Sequence, residues 1–240
     1  MKTLEEYKEG QVLLIDKPLK WTSFQVVNKL RWVLKQEFKI KNLKVGHAGT
    51  LDPLATGLLI LCTGKFTKKI DTYQAQHKEY TGTITLGGTT PSYDLESEVD
   101  TTYPTEHITE EMIYEATKQF VGEIDQKPPM FSALKKDGKR LYELAREGKT
   151  VEIKTRRINI SEFEITKIDF PNVEFRVACS KGTYIRSLAY DFGLALESGS
   201  HLSALRRTKI GDFSVENAVS VNDFLEDFGL EPLEDKQFVS

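Results

Sequence analysis

Hydrophobic and polar positions follow two different periods along this chain of 240 residues. Residues 12–15 are an apolar run closed by Asp16-Lys17-Pro18, which reads as a short strand and turn. Ser23 stands where it would cap a helix to about residue 38, with Phe24, Val27, Leu30, Leu34 and Phe38 at helical spacing. The apolar run 58–62 predicts a buried segment over 56–62, and 65–76 reads as a lysine-rich helix. Tyr80, Gly82, Ile84 and Leu86 share one parity, with threonines on the other. That alternation predicts a strand, ended by Gly87-Gly88. Residues 88–107 read as an acidic, threonine-rich loop. Thr109 would cap a helix to about 121, with Met112, Ile113, Ala116 and Phe120 facing inward. A loop over 125–139 is centred on Pro128-Pro129, and a helix from about 140 to 147 ends at Gly148. Alternation over 157–170 and 173–179 predicts two strands. A helix over 183–197 follows, then two short extended pieces at 201–205 and 207–213. Hairpin-like strands mixed with helices, without regular strand–helix alternation, predict an α+β fold: a largely antiparallel sheet flanked by helices. No repeat and no linker breaks the pattern, so one domain over 1–240 is expected, with an acidic tail over 214–240.

Charge changes this picture more than composition does. The net charge of −3 hides segregation. Residues 17–47 hold eight Lys/Arg against Glu37 alone, and 127–157 hold ten against four acids. Residues 92–125 reverse the balance, with ten acids and only Lys118. The basic tracts fit either a solvated surface or a face for a polyanion. No apolar run approaches the roughly 18 residues that span a bilayer. The start, Met1-Lys2-Thr3-Leu4-Glu5-Glu6, has no apolar signal core, so a secretory leader is not expected. Cys62 and Cys179 sit in apolar contexts and make no paired metal motif. They read as small buried hydrophobes in a reducing, cytoplasmic protein.

The densest chemistry lies at Gly46-His47-Ala48-Gly49-Thr50-Leu51-Asp52-Pro53-Leu54-Ala55-Thr56-Gly57. Two readings fit it. One is an ordinary Asp-Pro turn between elements. The other is a stiff loop that presents the Asp52 carboxylate from a buried anchor. Phosphate-loop, dinucleotide and HExxH patterns are absent, the four histidines are scattered, and no serine has nucleophile-elbow spacing. No metal site is indicated. Three more segments put Gly, aromatic and charged residues at junctions: 78–80, 126–133 and 179–186. In the last, Arg186 falls in the first turn of a helix, where a cation is out of place unless a carboxylate partners it.

Together these segments resemble the TruB family of tRNA pseudouridine-55 synthases, from about residue 16 to 213. The core match is Gly46-His47-x-Gly49-Thr50-Leu51-Asp52-Pro53. Supporting matches are Leu86-Gly87 with Thr89 and Asp94; Gln126-x-Pro128-Pro129-x-Phe131-Ser132-Ala133-x-Lys135; Tyr142-Glu143-x-Ala145-Arg146-x-Gly148; Cys179-Ser180-Lys181-Gly182-Thr183-Tyr184-Ile185-Arg186; and Leu205-Arg206-Arg207-Thr208. The resemblance implies a pseudouridine synthase fold and an isomerase that acts on a uridine of the tRNA T-loop. Asp52 would be the nucleophile, at base C6 or sugar C1′. Arg186 would pair with it, and Tyr80 would stack on the uracil and assist proton removal. Tyr184 and Leu205 would line the uridine pocket. His47 would fill the gap left by the flipped base, or else serve as a structural histidine in a turn. Lys17 matches a lysine near the cleft that could meet phosphate. The segment 127–150 would be a basic insertion that clamps the RNA arm. The chemistry is an isomerisation and requires no metal or organic cofactor. The expected partner is the T-arm stem-loop of tRNA, with no membrane and no obligatory protein partner. Two other functions remain open: a synthase for another structured RNA, and a tRNA-binding or folding module with vestigial catalysis.

The chain departs from the family pattern in places. Lys20 stands where the family has glycine. Leu95-Glu96-Ser97-Glu98 follows Asp94 without the common glycine. The 27 residues after Phe213 are too few and too acidic for the RNA-binding PUA domain that many members carry there. RNA grip is therefore expected from the catalytic domain alone.

Overall fold

The computed structural model describes residues 2–132, 134–136, 138–149 and 151–233. Parts of the expected basic segment, at 133, 137 and 150, and of the acidic tail, at 234–240, lie outside the described residues. The chain forms two compact units, Met1–Tyr80 with Arg206–Ser240, and Thr81–Leu205. Their boundaries fall inside the strands Lys78–Leu86 and Ser200–Ile210.

In the first unit the strand order is Val219–Ser220, Val12–Lys17, Ala55–Thr63, Ser200–Ile210. Val12–Lys17 runs antiparallel to Ala55–Thr63, with Ile15 opposite Leu59 and Lys17 opposite Gly57. The short strand Val45–His47 pairs with the far end of Ala55–Thr63. Leu59 and Leu61 pack with Ile15 against Val26, Val27, Leu30, Val33 and Leu34 of the helix Ser23–Glu37. Leu58, Ile60 and Cys62 meet Ala48 and Ile210 in a second cluster. A strand buried on both faces needs apolar residues at every position, which is why 56–62 shows no alternation.

The helix Ser23–Glu37 starts one residue from its expected cap. Thr22 is the N-cap, and it exchanges hydrogen bonds with Gln25 in a capping box. Ser23 is buried and serves the Asp52 loop instead, as described below. Phe24, expected on the inner face, is 61% exposed, because the apolar stripe runs through Val26, Val27 and Val33.

In the second unit the order is Ser200–Ile210, Lys78–Leu86, Asn172–Cys179, Arg156–Asp169, Gly122–Gln126. Arg156–Asp169 and Asn172–Cys179 form a long antiparallel hairpin, with Phe163 opposite Val177 and Ile165 opposite Phe175. The rings of Phe163, Phe175, Phe120 and Phe192 interlock here, Phe163 meeting Phe175 and Phe192 edge-on. The helices Glu110–Thr117 and Ile185–Ala195 flank the strands. The acidic stretch holds a small ladder, Gly88–Thr89 with Thr101–Thr102.

The two expected pieces at 201–213 are mainly one strand, Ser200–Ile210. The expected pieces part at Arg206, but the strand runs through it. Arg206 makes a two-pronged bond to Asp16 at 3.0 and 2.6 Å, and Arg207 is buried. Largely antiparallel strands with flanking helices make this an α+β protein, as the alternation predicts. Among the described residues no helix is long and apolar enough to cross a membrane.

Candidate active site

Asp52 sits half-buried on a loop whose backbone is tied down on all sides. Gly49 and Gly57 have φ of +98° and +104°. At Gly57 the reason is contact as well as angle: a Cβ there would lie 2.3 Å from the Arg207 carbonyl oxygen. Only glycine lets the two strands approach so closely. The Asp52 carbonyl accepts from Ala55 N–H at 3.0 Å, which closes the turn. The Ser23 hydroxyl accepts from Leu51 N–H at 2.8 Å and donates to Leu51 C=O at 3.2 Å. Lys20 N–H donates to the Pro53 carbonyl at 2.7 Å. The Arg207 guanidinium donates through Nε to Leu58 C=O at 2.8 Å and through Nη2 to Gly49 C=O at 3.1 Å.

Lys17 lies fully buried beside this loop. Its ammonium donates to the carbonyls of Trp21 at 2.6 Å and Pro18 at 2.9 Å. Burial pushes its pKa down to about 8, while the Asp52 charge pulls it up, Arg207 pushes it down and Asp16 pulls it up. His47 ends the strand Val45–His47. Burial lowers its pKa; the Gly49 backbone beside it acts the other way, and the Arg207 charge adds to the lowering. Its Nδ1 is shielded from solvent with no hydrogen-bond partner. Tyr80 is buried on the strand Lys78–Leu86, at the parity expected of it.

The second unit carries the other expected residues. Arg186 is the second residue of the helix Ile185–Ala195 and is 4% exposed. A carboxylate partner, required for a cation in a first helical turn, is present: Arg186 Nε lies 3.6 Å from Asp94 Oδ2. Its Nη1 also donates to Ser92 C=O at 3.1 Å. Asp94 is itself held, accepting from Ser92 Oγ at 2.6 Å and Glu96 N–H at 3.0 Å. Tyr93 before it has φ +64° and stacks on Tyr190 at 4.1 Å. Tyr184 precedes the helix as its N-cap, where Gln126 clamps its backbone: Tyr184 N–H donates to Gln126 Oε1 at 2.8 Å, and Gln126 Nε2 donates to Tyr184 C=O at 3.0 Å. Leu205 is half-buried on the strand Ser200–Ile210.

The structure thus gathers Lys17, His47 and Asp52 around one loop, and Tyr184 and Arg186 at one helix start. Four contributors had no site role assigned from sequence: Ser23, Asp94, Gln126 and Arg207. Asp94, Gln126 and Arg207 lie in matched motifs, so their positions were visible although their bonds were not. Ser23 gave no signal beyond its capping chemistry.

A stiffly braced carboxylate, a buried arginine at a helix start and a largely antiparallel sheet bring a class of enzyme into view, and comparison defines it. Residues 35–185 match the N-terminal domain of the TruB family of pseudouridylate synthases, and 186–236 match a tRNA pseudouridylate synthase B C-terminal domain. A tRNA pseudouridine synthase B of Flavobacterium johnsoniae is 67% identical over 225 residues, covering 93% of this chain and 98% of the relative. That of Phocaeicola vulgatus is 57% identical over 220 residues, covering 92% and 94%. Among solved structures, a Cbf5-Nop10-Gar1 complex superposes with a TM-score of 0.69 at 30% identity, over 98% of this chain and 59% of that one. An H/ACA RNP bound to a substrate RNA containing 2′-deoxyuridine gives 0.67 at 28%, over 99% and 60%. This chain therefore spans about six-tenths of the length of those structural relatives. The class is that of the pseudouridylate synthases. Within it, the chain belongs to the TruB family.

Proposed function

We propose that this protein is a tRNA pseudouridine synthase that converts the T-loop uridine at position 55, with Asp52 as its nucleophile. The carrying observation is the bracing of Asp52: Ser23, Lys20 and Arg207 fix the backbone on both sides of one carboxylate. Rigid presentation is what a nucleophile needs, since misplacement by about 1 Å costs on the order of 100-fold in rate. Near full-length likeness to relatives named tRNA pseudouridine synthase B supports the substrate class.

The reaction breaks the C1′–N1 bond, turns the uracil and joins C1′ to C5. Nothing is lost or oxidised, so a carboxylate nucleophile suffices. The uridine must leave its stack to reach Asp52. His47, neutral and with an open Nδ1, would take the vacated space. Tyr80 would stack on the flipped uracil and help remove the C5 proton, and Tyr184 and Leu205 would line its pocket. Arg186, aimed by Asp94 and Ser92, would serve as the counter-ion of Asp52. Lys17 does not meet phosphate as expected, because it is fully buried with its ammonium on backbone carbonyls, and it would brace the chain beside Asp52 instead. The basic segment 127–150 would grip phosphates of the T-arm, where most non-specific affinity arises.

The test uses the purified full chain alone with a T-arm stem-loop. Wild type should form pseudouridine without any protein partner. Asp52→Ala should lose at least about 10⁴-fold in turnover, as expected when a nucleophile is removed. An inactive wild type overturns the enzymatic reading, and an active Asp52→Ala overturns the mechanism. A ribosomal RNA hairpin run in parallel decides between T-loop and other RNA targets.

A further inference from the structure

We infer that Arg207 is a positioning residue for the chemistry at Asp52, its guanidinium tying together the two limbs of the loop that carries the carboxylate. The inference rests on the reading of Asp52 as nucleophile.

Arg207 is 1% exposed and, among the described residues, is the largest of the fully buried side chains. Both of its hydrogen-bond acceptors are main-chain carbonyls, and they lie on opposite limbs. Gly49 comes three residues before Asp52, and Leu58 six after it. Outside this tie, Ala48 N–H bonds Ile60 C=O at 2.8 Å, as a paired strand would. Arg207 is thus the last clasp before the limbs part around Asp52. Ser23 and Lys20 fix single points within the loop, at Leu51 and Pro53. The backbone of Arg207 takes part too, since it packs against Gly57 too closely for any Cβ.

A buried cation is costly, and an apolar side chain of similar volume would often stabilise a fold as well or better. The planar fork of a guanidinium offers something an apolar side chain or an ammonium cannot: two donors at fixed spacing, able to hold two carbonyls in register. Hydrogen bonds from a charged donor are about twice as strong as neutral ones. Arg207 also places positive charge beside Lys17 and His47. That charge helps keep His47 neutral at the mouth of the same loop.

The test compares full-length wild type, Arg207→Lys, Arg207→Met and Asp52→Ala on a T-arm stem-loop. Single-turnover rate, RNA dissociation constant and melting temperature are measured at a temperature where each protein is folded. Arg207→Met should lose roughly 100-fold in rate, with RNA affinity held within about threefold. Arg207→Lys can hold one carbonyl and should recover about tenfold of that loss. Loss of rate without loss of affinity, partly rescued by lysine, is not what general loosening of the fold produces. Wild-type rates in Arg207→Met overturn the inference, and so do equal losses of rate and affinity. Should Arg207→Met fail to fold, Arg207→Lys decides: a tenfold slower rate at unchanged affinity supports the clasp, and an unchanged rate removes it. Asp52→Ala separates the two levels. If it stays active, the nucleophile reading fails whatever Arg207 does. If it is dead while Arg207→Met is fast, only the clasp fails.

Discussion

The Asp52 loop and the Arg186 turn present opposite charges, and each is braced in its own way. Around Asp52, the holding groups act on the backbone: a hydroxyl, an amide and a buried guanidinium seize carbonyls and N–H groups on either side of the carboxylate. At Arg186, the charged group itself is seized, by the Asp94 carboxylate and the Ser92 carbonyl. A group that forms and breaks a covalent bond needs its chain fixed, so that its charged atoms meet the substrate in one place. A group that works by its charge can be bonded and still act. The mode of restraint therefore agrees with the proposed division into nucleophile and counter-ion.

The largest effect that separates the two regions is expected at Arg186. Arg186→Ala should reduce turnover by about 10³-fold, near what loss of a preorganised charge stabiliser costs. RNA affinity should change by less than about threefold, because the side chain is buried and phosphate contacts dominate affinity. Single-turnover assays and filter binding with the T-arm measure both. Equal losses in rate and affinity would make Arg186 an RNA-binding residue and break the comparison.

A smaller effect follows from Lys17, the buried cation on the Asp52 side. Its folded pKa of about 8 lies below its ordinary 10.5. Between these values the unfolded chain binds the proton and the folded chain does not. Stability therefore rises with pH across the window from 8 to 10.5 and is lost as pH falls back through 8. Relative to Lys17→Met, wild type should gain up to about 3 kcal/mol over that window. Urea unfolding at a series of pH values, taken as the difference between the two proteins, removes the tyrosines that also titrate there. A flat difference would show that Lys17 stays charged in its carbonyl cage.

The two regions also differ in how far the sequence made them legible. Period and parity located the longer strands and most helices, because burial imposes them residue by residue; the short strands Val45–His47 and Gly122–Gln126 were not read. The need for a carboxylate near Arg186 was legible too, since a cation in a first helical turn wants one. That Asp94 is one such carboxylate was not, because Asp94 and Arg186 lie far apart along the chain and meet only through the fold. The Asp52 loop was legible as stiff, from its glycines and Pro53. Its braces were not. Ser23 looked like a cap, and the cap is Thr22; Arg207 read only as part of an extended piece, and its side chain ties two limbs of the loop. Side chains that bond to backbone carry no partner type in the sequence, so such braces emerge only from coordinates.

The smallest effect tests a strain within the brace itself. Lys20 takes the position where the family pattern has glycine, and its φ is +67°. An L-residue in that region costs about 1–2 kcal/mol, through contact of Cβ with the backbone. The conformation is what lets Lys20 N–H reach the Pro53 carbonyl at 2.7 Å. The strain is thus held in place by a bond to the loop that carries Asp52. The Lys20 side chain is exposed, so glycine removes the steric cost and little packing. Against this, glycine gives the unfolded chain more freedom to lose, worth about 0.4–1 kcal/mol. Lys20→Gly should therefore raise stability by roughly 0.8 kcal/mol, the difference of the two terms at their midpoints. Turnover on the T-arm should stay within about twofold, since the N–H donor remains. Urea midpoints and single-turnover rates check both. A stabilised but slower enzyme would mean that the lysine side chain, and not only its backbone, serves the Asp52 loop. A destabilised one would mean that the positive φ costs less here than the freedom glycine adds.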